Sequence, residues 1–449
     1  MKQTETIVAI ASAVGQGGIG ILRMSGEESK SILEEVFRPV AEGTLKSRTL
    51  RYGHVVDEEG LVLDEVLAVY MKAPTTYTCE DLCEIYCHGG VVSMRRVLER
   101  CLRAGARMAE PGEFTKRAFL NGRLDLSQAE AVIDIINATS EGGLDTSLSQ
   151  LEGLLGKRIG AMREEILRLL ALLIANIDFP EDEVEEENRK DLEENLATLH
   201  EEMERLLRTS RQGKLLREGL SVVILGRPNV GKSSLLNALL QEERAIVTDI
   251  AGTTRDVLEE RVRMGPLTLR IMDTAGLRET EDVVEHMGVM RAKKAVDEAE
   301  LLLGVFDAHE EETEEDRQIR ELLQKKPHII LYNKADLLEE PIFPTDGILM
   351  SLATGEGLDA LEKRILDLFW EGEVKTRDEA ILSNLRHIEA VQEAYDFVES
   401  ARTSAEAGMP EDCLVVDLEA AYEALGRITG ESLGEDVLDR IFSDFCIGK

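Results

Sequence analysis

The sequence predicts a multidomain chain: an α+β domain, then an all-α domain, with a mostly parallel α/β domain inserted into the all-α part. Three observations carry this. Short apolar runs separated by turn signals fill residues 6–118, helical periodicity takes over from residue 119 and returns after residue 372, and strands alternate with helices over 221–370. At 449 residues the chain has room for about three domains of roughly 150 residues each. The expected divisions are 1–118, a first helical part at 119–214, the α/β domain at 215–375, and a second helical part at 376–449.

In the first region the runs TIVAIAS, GILRMSG, LDEVLAVYM and DLCEIYCHGG read as strands, with a helix over 93–103. Further on, LSQAEAVIDIINAT, 144–179 and 189–208 read as helices, and the acidic PEDEVEEEN between the last two as a solvated loop or helix start. After residue 372 helices are expected over 380–402 and 415–427. Helical stretches on both sides of an α/β unit are expected to pack together, so that the α/β unit is an insertion. There is no internal repeat.

Lys and Arg number 52 against 88 Asp and Glu, a net charge of -36. Such a surface repels phosphate backbones, so direct, nonspecific nucleic-acid binding is not expected. Work on RNA would need a basic partner or a local basic patch. The N-terminal segment has no basic stretch, apolar core and cleavage site in sequence, and the most apolar run, 166–177, is broken by Arg168 and Asn176. The expected location is cytoplasmic, with no membrane contact. Six cysteines in so long a chain form no disulfide framework. Cys79, Cys83 and Cys87 lack the paired spacing of zinc sites, and on a strand Cys83, Ile85 and Cys87 share one face, a small apolar core stripe. His88, beside Gly89 and Gly90, reads as a turn or partner-contact residue rather than a ligand.

The chemistry concentrates in the α/β region. The strand SVVIL leads into GRPNVGKSS and the helix LLNALL, the setting that a phosphate-binding loop requires. Backbone N–H groups of Asn229, Val230, Gly231 and the helix start cradle a phosphate, Lys232 reaches the β/γ oxygens, and the hydroxyl of Ser233, followed by Ser234, serves magnesium. Asp273, Thr274, Ala275 and Gly276 follow the strand LTLRIM, where a carboxylate can hold magnesium through water and the Gly276 N–H meets the γ-phosphate. Asn333, Lys334 and Asp336 follow HIILY. An aspartate there accepts from guanine's ring N–H and amino group, which adenine cannot supply together, so the nucleotide is GTP. Ser351, Leu352 and Ala353 are placed to offer backbone N–H to the guanine carbonyl. Thr248, Asp249, Ile250, Ala251, Gly252, Thr253 and Thr254 form a hydroxyl-rich segment suited to closing on the γ-phosphate, with Thr254 the expected magnesium ligand.

Hydrolysis needs an oriented water and positive charge. Leu277 follows the DTAG glycine and cannot orient water, while Glu279, Glu281, Asp282 and Glu285 downstream are all candidates. Arg255 and Arg278 are candidate charges in cis.

GRPNVGKSS with TTRD occurs in several translation-related GTPases, so the α/β domain alone leaves a ribosome-assembly switch that binds rRNA as an alternative. Such a switch needs an appended basic RNA-binding domain, and none follows residue 370. The flanks decide: GQGGIGILRMSG, TYTCEDLCEIYCHGG, PGEFTKRAFLNGRLDLSQAEAVIDII and the closing CIGK resemble the MnmE (TrmE) family of tRNA wobble-uridine modification GTPases over nearly the whole chain. The resemblance implies Glu285 as the residue polarising the attacking water, and a potassium ion at Asn229, Thr248, Ile250 and Thr253 in place of an arginine finger. It also implies a homodimer through the N-terminal domains, and a tetrahydrofolate site there at Arg23, Glu80, Arg123 and Lys449. Relatives often have lysine where this chain has Arg123, and alanine where it has Leu352. The implied partner is an FAD-containing protein of the MnmG type, which would carry most of the tRNA surface. Together the two install an aminomethyl or carboxymethylaminomethyl group from a folate one-carbon unit. The tail ends in Cys446-Ile447-Gly448-Lys449, and its apolar run up to Ile447 is expected to pack back, bringing Cys446 to the one-carbon chemistry as a catalytic or positioning group.

Overall fold

The computed structural model describes residues 5–15, 17–178, 186–241, 260–272, 295–338, 345–370 and 379–448, with backbone alone at 186–189 and 241. Two compact units are formed, one from Met1–Ile133, Gln150–Leu199 and Glu393–Lys449, the other from Asp134–Ser149 and His200–Gln392.

The first unit contains a seven-stranded sheet. Its strands are β1 Ile7–Ile10, β2 Gly20–Ser25, β3 Phe37–Pro39, β4 Arg51–Val56, β5 Val62–Met71, β6 Leu82–Cys87 and β7 Arg107–Met108, in the order β3-β4-β5-β6-β2-β1-β7. Only β1 and β7 pair in parallel. Alternation decides which face is buried: Leu22 and Met24, Cys83, Ile85 and Cys87, and Val66, Ala68 and Tyr70 enter one core, closed by the helices Ser29–Val36 and Val91–Arg103. The cysteine stripe read from the sequence is thus a core stripe. Register places Arg23 between Ala9 on one side and Glu84 on the other.

Two long helices of this unit, Leu154–Asp178 and Glu411–Thr429, pack on each other. Leu155, Ile159, Met162, Ile166, Leu169 and Leu173 recur at alternating steps of four and three, as do Leu414, Leu418, Ala421, Leu425 and Ile428. That spacing gives each helix a narrow apolar seam. Arg163 joins them from the side, over the Tyr422 ring at 4.2 Å and paired with Glu431. The sequence reading of one helix from 144 is corrected here. Glu141–Leu151 and Leu154–Asp178 are separate, because Gly153 takes a left-handed φ of 81°. Likewise residues 380–384 are not helical, and the helix there is Leu385–Glu406.

The second unit is built on β8 Leu220–Leu225, β9 Glu260–Met264, β10 Leu267–Ile271, β11 Leu301–Asp307, β12 His328–Asn333 and β13 Ile348–Leu349, in the order β13-β12-β11-β8-β10-β9. Every pairing is parallel except β9 with β10. β8 and β11 are buried along their whole length, as strands covered on both faces must be. Among the described residues no helix is long and apolar enough to cross a membrane.

Candidate functional site

In the second unit, the carboxyl ends of β8, β11, β12 and β13 gather the loops that the sequence singled out, where open α/β sheets bind their ligands. The loop after β8 opens the helix Lys232–Gln241. Asn229 sits at φ 63° and Gly231 at φ 109°, a conformation that a Cβ at 231 could not share. Such a Cβ would stand 2.2 Å from Asn333 Nδ2, and one on Gly226 would stand 2.6 Å from the Val305 carbonyl oxygen. Glycine at these two positions therefore lets the loop backbone close tightly against Asn333 and β11, the tight turn that a phosphate cradle requires. Lys232 folds over it and donates to the carbonyls of Gly226 at 2.7 Å and Arg227 at 2.8 Å. Burial lowers the pKa of this ammonium. Ser233 and Ser234 are exposed at the helix start.

Asn333 ties this loop to the base-reading segments with both ends of its amide. Nδ2 donates to the Val230 carbonyl at 2.8 Å, and Oδ1 accepts from the Leu352 N–H at 3.1 Å. Lys334, at φ 69°, places its ammonium 2.6 Å from Asp307, the buried last residue of β11. Burial alone would raise the Asp307 pKa. The Lys334 hydrogen bond, the His309 N–H and the charges of Lys334 and Arg227 outweigh it and hold the carboxyl below the usual range. Asp336 is exposed, and its Oδ1 accepts from Ser351 Oγ at 2.6 Å, so one carboxylate oxygen is fixed and the side chain is aimed. The expectation for Ser351, Leu352 and Ala353 is narrowed here. The Ser351 N–H donates to Glu356 and the Leu352 N–H to Asn333, so only the Ala353 N–H remains uncommitted within the described chain. Asp307 was missed by sequence reasoning. Its signal was a single carboxylate ending an otherwise apolar strand, LLLGVFD.

Thr248, Asp249, Ile250, Ala251, Gly252, Thr253, Thr254, Asp273, Thr274, Ala275, Gly276 and Glu285 lie outside the described residues, as do Arg255 and Arg278. Of the groups expected to hold magnesium and potassium, Ser233 and Asn229 are described, both at the mouth of the loop.

A second constellation forms in the first unit. Arg23 on β2 donates to Glu84 at 2.9 Å, and its guanidinium lies 5.3 Å from the centre of the Tyr77 ring. Arg123 approaches the same ring at 4.8 Å and donates to the Tyr77 carbonyl at 3.1 Å. Ser25, two residues on from Arg23 and on the same strand face, donates to Glu80 at 2.8 Å, and Arg117 reaches Glu80 at 3.0 Å. Arg23, Glu80 and Arg123 thus share one neighbourhood, organised by Tyr77, Ser25 and Arg117, none of which the sequence reading selected. Lys449 lies outside the described residues. The tail docks beside this neighbourhood. Phe445 is buried with Phe442, Leu438, Leu126 and Ala129, the Gly112 N–H reaches the Cys446 carbonyl at 3.4 Å, and Gly448 lies against the Ile10 carbonyl at the end of β1. The expected apolar packing is corrected in one respect: Ile447 is 49% exposed, and Phe445 and Gly448 do the docking. The Cys446 thiol is exposed.

Residues 126–446 match the family model of the MnmE helical domain, and residues 6–123 that of the GTP-binding protein TrmE N-terminus. The chain belongs to the MnmE family. Many relatives carry the name tRNA modification GTPase MnmE. That of Alkaliphilus oremlandii is 46% identical, with 99% of each chain covered. Those of Geobacillus kaustophilus and Streptococcus pneumoniae serotype 4 are each 47% identical over all of this chain, covering 100% and 99% of the relative. Family membership rests on regions outside the nucleotide site as well as on it, which removes the ground for the ribosome-assembly reading.

Proposed function

We propose that this chain is a potassium-stimulated GTPase of tRNA modification, which with an FAD-containing partner adds an aminomethyl or carboxymethylaminomethyl group to the wobble uridine from a folate one-carbon unit. The observation that carries the reading is the convergence, at the carboxyl ends of the strands, of the tight loop around Gly231, the Lys232 ammonium, the aimed carboxylate of Asp336 and the Ala353 N–H, uncommitted among the described residues. Those groups fit a guanine nucleotide: the loop and Lys232 hold phosphate, while Asp336 accepts from the base and Ala353 donates to its carbonyl. Ser233 and Asn229 offer hydroxyl and amide oxygens at the phosphate end, the donor chemistry that magnesium and potassium prefer. Those cations, when bound, would offset charge developing on the transferred phosphoryl. Glu285 is assigned to polarising the attacking water, and Arg23, Glu80, Arg123 and Lys449 to the folate, with Cys446 beside it. A homodimer through the N-terminal domains and a cytoplasmic location complete the reading.

Mass spectrometry of wobble uridines from cells lacking the protein tests it, together with GTP turnover in potassium and in sodium at equal ionic strength. Loss of the modification, and faster turnover in potassium, are expected. Intact modification would overturn the tRNA assignment, and equal rates the potassium one.

A further inference from the structure

Glu80 is gripped unevenly. Its Oε2 accepts from Ser25 Oγ at 2.8 Å and from Arg117 Nη1 at 3.0 Å, whereas among the described residues Oε1 receives only the same nitrogen at 3.3 Å. An ionised carboxylate has about four acceptor positions, so Oε1 retains capacity for an N–H donor from outside the protein. Arg117 is buried, 5% exposed, and its other nitrogen is spent within the protein. Nη2 donates to Glu113 Oε1 and to the Glu5 backbone carbonyl, both at 2.9 Å. Glu113 is anchored in turn by Arg107 Nη2 at 2.7 Å, Arg107 Nη1 at 3.1 Å and the Glu110 N–H at 2.8 Å. One end of the guanidinium fork is therefore locked into a buried framework, and the other end holds Glu80.

We propose that Arg117 is a positioning residue for the folate site, fixing the Glu80 carboxylate so that Oε1 accepts from the amino group of the pterin. The inference rests on the folate reading above. A lysine cannot replace the fork, because one ammonium on a flexible stem does not hold Glu80, Glu113 and the Glu5 carbonyl in a fixed plane. A cavity of about 530 Å³ is lined in part by Arg117 and Glu113 and not by Glu80, so a shorter side chain at 117 leaves space that water can enter.

The test is a titration of the full chain with 5-formyltetrahydrofolate, comparing the unaltered protein with Glu80→Gln, Arg117→Gln and the double variant. Arg117→Gln is expected to weaken binding about tenfold or more, the usual scale for a hydrogen bond to a charged group. The double variant should be no weaker than Glu80→Gln alone, because Arg117 acts through Glu80. A 2-desamino analogue of the same folate should bind the unaltered protein and Arg117→Gln alike. Additive losses, or an Arg117→Gln affinity equal to that of the unaltered protein, would overturn the inference while leaving the folate reading standing. No binding by the unaltered protein would overturn both. Should Arg117→Gln melt too early to titrate, Arg117→Lys decides: an intermediate loss supports the inference, and full affinity sinks it.

Discussion

Asp307 belongs to no recognised motif, yet it anchors the base-reading loop by holding Lys334, which itself sits in a left-handed conformation costly for a residue with a side chain. The neighbouring Asp336 has one oxygen committed to Ser351, and the remaining acceptor capacity faces solvent at the site. Changing Asp336 to Asn replaces an acceptor-only carboxylate by an amide that also donates. GTP binding should then weaken by about tenfold or more, while discrimination against xanthine nucleotides relaxes. Competition of GTP and XTP for the variant measures this, and an unchanged preference would remove the guanine assignment. Gly231→Ala makes a stricter demand on the loop. At φ 109°, with Asn333 Nδ2 at 2.2 Å from the added carbon, the backbone must shift, and a stability loss of about 1–3 kcal/mol is expected together with weaker nucleotide binding. Thermal unfolding with and without GTP separates the two effects.

Among the elements, β6 makes a claim that thiol chemistry can check. Burial pushes the Cys83 thiol up to about 12 and that of Cys87 up to about 11, and Cys101, on the helix behind, up to about 12. At pH 8 all three stay protonated and inert, so alkylation of the folded protein should label Cys413 and Cys446 first and spare these three until it unfolds. Peptide mapping that found Cys83 labelled as fast as Cys413 would refute the core placement. The helix Glu113–Leu120 carries a pH dependence of its own. Burial favours the neutral acid of Glu113, but Arg107, the Glu110 N–H and Arg117 more than reverse this and lower its pKa below 4.5. A depressed carboxylate contributes stability that is present above its unfolded value and lost as pH falls through the folded one. Urea midpoints should therefore drop below about pH 4.5, and less so in Glu113→Gln. The strands and the phosphate loop were legible because alternation, run length and glycine spacing are local signals. Helix ends were not: Gly153 carries no polarity cue, and the apolar residues 380–382 lie just before the helix that starts at Leu385. Asp307 and Arg117 were invisible for another reason. Their importance lies in partners 27 and 37 residues away, which no local pattern encodes.

For the molecule as a whole, the tail supplies the decisive deletion. Removing residues 446–449 takes away the Gly112 contact and the Gly448 seat, both in the first unit, and leaves every described nucleotide-site residue in place. Wobble modification in cells should fail while GTP turnover stays near normal. Full modification by the truncated chain would make the tail decoration. The aromatic seat under that tail also sets a timetable. Leu126 and Ala129 belong to the same cluster as Leu438, Phe442 and Phe445, and the whole sheet of the second unit is encoded between them. A ribosome adding about 5–20 residues per second makes the early half of this cluster wait roughly 15 to 60 s for the late half. Through that interval the nascent chain shows a greasy, half-built socket while β8 to β13 can already assemble. The order of birth therefore makes the seat of the tail the last part of the first unit's core to close.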